Sequence, residues 1–158
     1  MASEIHRIGS LLKHMQSGPS WHGAAVTEAL SGVTASLASQ RPSGQANTIW
    51  EIVLHMTAWR HFARRKLAEG EGVVLEVGSV EDWPPMPEAT EAHWQQSLES
   101  LQAADQALRD EMRLHEDAKL HEEVPDKPYS YYVLLHGIVH HDAYHTGQIS
   151  LLKKMLQA

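Results

Sequence analysis

The sequence predicts an all-α fold: an up-down four-helix bundle with a long loop between its second and third long helices. Three observations carry this. Apolar residues recur at three- and four-residue spacing through most of the chain, and alternating strand patterns are scarce. Helix start and stop signals bracket those stretches. Three or four of the resulting helices are long and apolar along one stripe, which packs best side by side.

The elements follow in order. Ile5, Ile8, Leu11, Leu12 and Met15 mark a first helix that stops at Gly18-Pro19. A second piece begins near Trp21-His22-Gly23 and runs through Val26, Leu30, Val33 and Leu37, with Gly32 interrupting it. Residues 40–45, containing Pro42 and Gly44, form a loop. Thr48-Ile49-Trp50-Glu51 matches the capping box, in which Thr48 and Glu51 satisfy free backbone N–H groups. That helix continues to about Glu69 and ends at Gly70. Residues 71–87 are the long loop, with a short extended piece expected at Val73 to Val77. A third long helix is expected from Glu88 to Glu116, with Trp94, Leu98, Leu101, Asp105, Leu108 and Met112 on its stripe. Residues 121–127 form a polar loop, and Pro128 is expected to start a final helix reaching Gln157.

A length of 158 residues fits one domain, 1–158, with a real core. The chain is 42% hydrophobic and 21% charged, as in ordinary globular proteins. Its formal net charge of −7 provides no basic face, so neither nucleic acid nor an anionic membrane is an expected partner. There is no cysteine, which excludes disulfides, thiolate metal sites and a cysteine nucleophile. No apolar run approaches the ~18 residues of a membrane span, and the first residues lack the apolar core of a signal peptide. A cytoplasmic location is the expectation.

Histidines are abundant: 12 of them, scattered along the chain. Two matter most. His141 and His145 lie one helical turn apart, so both imidazoles can reach one metal ion. They share a stripe about 100° wide with Leu134, Ile138, Gln148, Ile149, Leu152 and Leu156. Imidazoles on an inward stripe need partners, because unpaired buried polar groups are costly. A metal is one such partner; an internal hydrogen bond is the other. His136 and His140 have the same spacing, but His136 coincides on the wheel with Lys154, opposite the apolar stripe, and is read as solvent-facing. A third ligand has to come from another helix. His55 is the best candidate, near the edge of a stripe containing Ile52, Trp59 and Phe62; His61 points away with Arg64.

These residues resemble the DinB-like (YfiT-type) family of four-helix-bundle proteins. The motifs that carry the resemblance are His141-Asp-Ala-Tyr-His145-Thr-Gly147-Gln148-Ile149 and Thr48-Ile-Trp50-Glu51-Ile-Val-Leu-His55-Met-Thr-Ala-Trp59. Gly18-Pro-Ser-Trp21-His22-Gly23 and Glu81-Asp-Trp83-Pro84 support it. The resemblance implies one divalent metal ion per chain held by His55, His141 and His145, with zinc or nickel foremost and iron or manganese as alternatives. It also implies similarity to metal-dependent hydrolases, and to enzymes that transfer or isomerise with low-molecular-weight thiols such as bacillithiol or mycothiol. The partner expected is a small-molecule substrate, and a homodimer is compatible with bundles of this kind.

Three neutral imidazoles leave the ion at +2 with open positions, suited to activating water or a coordinated thiol. With no cysteine in the chain, any reacting thiol is supplied by a cosubstrate. Ligating histidines usually donate their second N–H to an acceptor, and Gln148 and Glu51 are candidates for that role. Asp105 is the acid on the third stripe, a candidate base or, more simply, the partner of an arginine. Trp21, His22, Trp59, Trp83 and Trp94 are candidates to line a pocket, as is Tyr144 at its rim; the simpler reading is that the tryptophans fill the bundle's ends. The leading function is a metal-dependent hydrolase or thiol transferase. The alternative is a non-catalytic metal-binding stress-response or interaction protein.

Overall fold

Helix α1 (Glu4–Ser17) is the first of six α-helices in a computed structural model that describes residues 3–42, 44 and 46–157. Met1, Ala2, Ser43, Gln45 and Ala158, which belong to the expected single unit and to the 40–45 loop, lie outside the described residues. The others are α2 (Val26–Leu30), α3 (Ala35–Ala38), α4 (Ile49–Ala68), α5 (Glu91–Met112) and α6 (Tyr131–Gln157), with a 3-10 turn at Asp117–His121. The second piece is broken as expected, because Gly32 adopts φ +72° between α2 and α3. No strand forms among the described residues. The stretch expected as extended pairs with no other segment among them; it turns Val73 and Leu75 into the core and leaves Val74 and Val77 in solvent.

Caps set the ends. Thr48 Oγ1 accepts the Glu51 N–H (3.1 Å) while Glu51 Oε2 accepts the Thr48 N–H (2.7 Å), a capping box of the kind in which each partner contributes about 1 kcal/mol. Helix α5 starts at Glu91 rather than Glu88, because Thr90 takes the cap position and its hydroxyl accepts the His93 N–H. It ends at Met112, four residues short of Glu116. Helix α6 starts at Tyr131 rather than Pro128. Residues 123–130 close on themselves first: Val124 N–H donates to Tyr129 O and Tyr131 N–H to Glu122 O, so Pro128 sits inside a turn.

The four long helices form a ring in which α1 and α4 each pack against both α5 and α6. Side-chain pairs give the directions. Near the start of α4, Trp50 meets Trp94 and Ser97 near the start of α5; further along, Arg60 reaches Leu101 O. These two helices therefore run the same way. Helices α4 and α6 run oppositely, since Tyr131 Oη donates to Lys66 O at one end and His55 meets His141 and His145 further along. Ile5 and Ile8 share a cluster with Met112 and Leu135, whereas Met15 clusters with Trp94 and Ile149, so α1 runs with α6. The expected all-α bundle is present, with the sense up-down-down-up in place of simple up-down alternation, because α4 and α5 run parallel. The long loop at 69–90 makes this possible by carrying the chain back along the bundle between two parallel helices.

The core has two parts. One gathers Phe62, Leu67, Leu108, Met112, Leu120 and Tyr131. The other gathers Trp50, Ile52, Met56, Trp94, Leu101 and Ile149. On α4, Arg60 falls between Met56 of the second part and Phe62 of the first, and His55 lies one residue before Met56. No helix among the described residues is long and apolar enough to cross a membrane.

Candidate metal centre

Where α4 crosses α6, three imidazoles converge. His141 and His145 stand one above the other on α6, with ring centroids 4.4 Å apart, and His55 of α4 lies 4.8 Å from each. One nitrogen from each ring lies within 4.8 Å of the others. His55 and His145 are buried and His141 is half-buried.

The loop 69–90 holds His55. Its Nδ1–H donates to Asp82 O (2.8 Å) and lies 2.9 Å from Asp82 Oδ1. The same carboxylate accepts Trp59 Nε1–H (2.7 Å) and, at Oδ2, the Gly78 N–H (2.8 Å). Gly78 sits at φ +83°, a left-handed turn that glycine adopts without strain. The indole of Trp83 lies flat on the His55 ring. On α6, His145 donates Nδ1–H to Gln148 Oε1 (2.6 Å).

These partners fix the tautomers. Asp82 and Gln148 present acceptors to Nδ1, so neutral His55 and His145 each keep a bare lone pair on Nε2. The His55 lone pair meets His141 Nε2 at 2.9 Å. Two nitrogens about 2.0–2.1 Å from one zinc ion at the tetrahedral angle are about 3.3–3.4 Å apart, so a shared ion requires this pair to part by about half an ångström. Buried His141 Nδ1 has no hydrogen-bond partner among the described residues. Burial pushes the His145 pKa down to about 4, aided by the neighbouring His141 and only partly offset by Gln148. Burial also lowers His55, against the opposing pull of Asp82. Both rings are thus held neutral at pH 7, the form that binds metal. The three-histidine group can hold a metal ion.

A model of the DinB superfamily matches residues 20–149, a stretch that contains all three histidines together with Asp82 and Trp83. The chain belongs to the DinB superfamily. No curated protein and no solved structure matches it.

The other candidate residues of this DinB-superfamily chain divide sharply. Gln148 touches His145 directly. Glu51 does not; its carboxylate is consumed by the Thr48 cap and by Arg41. Asp105 pairs with Arg109 at 2.8 Å and not with a histidine; burial raises its pKa, with Arg109 opposing. Trp59 borders the centre, edge-on to His55 at 6.3 Å. Trp94 does not line it, being buried in the bundle's other half, where its N–H donates to Val33 O. Trp21 is fully exposed and lines nothing. His22 is spent on the Met15 sulfur, 3.0 Å from its Nε2, because the turn after α1 folds back on that helix. Tyr144 is exposed and meets the edge of His145, at the rim. His61 and His140 are exposed, while His136 is half-buried, its Nδ1 3.1 Å from Tyr132 O.

Two features escaped the sequence reading. One is Asp82 as the acceptor for His55. The other is a buried ion pair, Arg60 with Asp142, joined by two hydrogen bonds of 3.1 and 2.9 Å to Oδ2. Charged residues on the inward faces of both helices were the available signal. Beside the centre lies a cleft of about 240 Å³, walled by Trp59, Tyr129, Val133, Leu134, Gly137, Ile138 and His141.

Proposed function

We propose that this chain is a divalent-metal protein whose ligands are His55, His141 and His145, and that it acts as a metal-dependent hydrolase or low-molecular-weight-thiol transferase on a small molecule. The observation that carries the reading is the approach of His55 Nε2 to His141 Nε2 at 2.9 Å while Asp82 occupies the far nitrogen of His55. A lone pair aimed into a cluster of imidazoles is served by a cation. Zinc or nickel suits an all-imidazole set best, with iron and manganese as alternatives.

When bound, such an ion supplies Lewis acidity that lowers the pKa of water or of a thiol. The chain's own residues do the rest. Asp82 and Gln148 fix the tautomers and orientation of two ligands. Trp83 and Trp59 cover His55 and keep it dry. Half-buried His141 stands on the open side, where the cleft begins. With no cysteine in the chain, a thiol reactant is brought by the cosubstrate. The cleft favours an enzyme over a purely metal-storing or interaction protein, because it gives a substrate access to one ligand.

The test is metal analysis of purified protein beside His55→Ala and His145→Ala variants, with helix content checked by circular dichroism. The expected result is about one divalent ion per chain, lost in both variants. Undiminished metal in both variants would refute the ligand set. Turnover assays with hydrolysable esters and amides, and with thiol cosubstrates, with and without that metal, then separate the two reaction classes.

A further inference from the structure

The walls of the cleft beside His141 say what kind of molecule enters. None of its seven lining residues carries a permanent charge. Leu134 and Ile138 form buried walls, and Val133 sits exposed at the mouth. Trp59 contributes its ring, since its N–H is already committed to Asp82. Apart from the Tyr129 hydroxyl and the His141 ring the lining offers no polar side chain, so a fully charged group seated here would lose hydration without gaining a charged partner, which is costly.

Gly137 adds an independent observation. It lies inside helix α6 with an ordinary helical φ, where glycine costs about 1 kcal/mol relative to alanine. No left-handed backbone requires it, and a Cβ there would meet nothing within 4 Å. What the missing side chain does is leave the cleft open along α6.

Size narrows the occupant. At about 240 Å³ the cleft exceeds the roughly 150 Å³ apolar cavity that takes up benzene. It is smaller than the roughly 300–1,000 Å³ pockets that enclose drug-sized ligands. We infer that this cleft seats the apolar end of the substrate, an uncharged group about the size of one aromatic ring, while the substrate's reactive polar atom reaches the three imidazoles past His141. The inference rests on the metal reading above and adds the substrate's chemical class to it.

The test uses two hydroxamates with the same metal-chelating head. Benzohydroxamate carries a phenyl ring and acetohydroxamate a methyl. Both are titrated calorimetrically into protein of measured metal content. The phenyl compound is expected to bind tighter by about tenfold or more, from the apolar area it buries. Gly137→Leu, which fills the cleft, is expected to abolish that preference without altering metal content. Val133→Asp, a change at an exposed position, is expected to reduce it. Equal affinities on metal-loaded protein, or a preference that survives both variants, would overturn the cleft assignment and leave the metal reading standing. A wild-type protein that retains no metal overturns both.

Discussion

The indole of Trp83 lies on the imidazole of His55 with ring centroids 3.8 Å apart and planes only 7° from parallel. One comes from an irregular loop and the other from the middle of a helix. The stack blocks one face of His55, while Asp82, the residue before Trp83, binds its Nδ1. Orientation of this ring is therefore a property of the loop as much as of the helix. Trp83→Ala is expected to weaken metal binding by roughly 10-fold, at the lower end of the range for such supporting residues, and Trp83→Phe to retain most of it. Calorimetric titration of metal into the stripped protein decides; unchanged affinity in Trp83→Ala would show the stack to be incidental.

Asp82 offers His55 two oxygens, its backbone carbonyl at 2.8 Å and its carboxylate at 2.9 Å. Asp82→Asn keeps the first. Its new NH2 must then face either the Trp59 N–H or the Gly78 N–H, both donors. The expected outcome is a stability loss of about 1–3 kcal/mol with less than about tenfold change in metal affinity. Urea unfolding and metal titration on the same variant measure the two effects separately. A large affinity loss with unchanged stability would assign the orienting role to the carboxylate.

Arg60 is fully buried and its guanidinium donates two hydrogen bonds to Asp142 and one to Leu101 O. Asp142 is equally buried, and its Oδ1 has no partner among the described residues. Removing one member leaves an uncompensated charge, so Arg60→Met or Asp142→Leu alone is expected to cost about 3–5 kcal/mol. The double variant Arg60→Met with Asp142→Leu is expected to recover most of that loss, since an apolar pair of similar volume avoids the desolvation penalty. Urea midpoints of the three variants close the cycle. Additive losses would mean that the pair is not coupled.

His145 titrates near 4 in the folded chain against 6.5 in the reference state. Between those values the unfolded chain binds the proton more readily, so folding stability rises with pH across that window. Metal-free protein is therefore expected to keep this contribution above about pH 6.5 and to lose it as pH falls toward about 4. Burial lowers His55 and adds in the same direction. Chemical unfolding of chelator-treated protein from neutral pH to about 4 gives the slope, which His145→Gln is expected to flatten. A slope of opposite sign would contradict the buried, neutral rings.

Local signals were the most legible. The Thr48–Glu51 capping box depends on four consecutive residues and can be read from them. The 141/145 spacing and its apolar stripe are likewise contained in one helix. Other features depend on residues far apart. Helix α6 begins three residues after Pro128 because a turn closed by Val124, Tyr129 and Tyr131 holds the preceding segment. Asp82 meets His55 partly through a backbone carbonyl, an atom every residue has and no composition reveals. Glu51 and Gln148 were equal as candidate acceptors; proximity of Arg41 and the cap decided between them. Arg60 and Asp142 were each visible on an inward face, but pairing them requires knowing that α4 and α6 run oppositely.

Two neighbouring helices that share a direction oblige the polypeptide to make a long return journey, and here residues 69–90 make it past the imidazoles. Outside its buried anchors Val73, Leu75 and Asp82, such a return path tolerates substitution better than the rods it joins. Changes near Asp82 and Trp83 nonetheless land against the His55 ring. Editing this passage can thus change what surrounds the three imidazoles while α4 and α6 keep those side chains where they are.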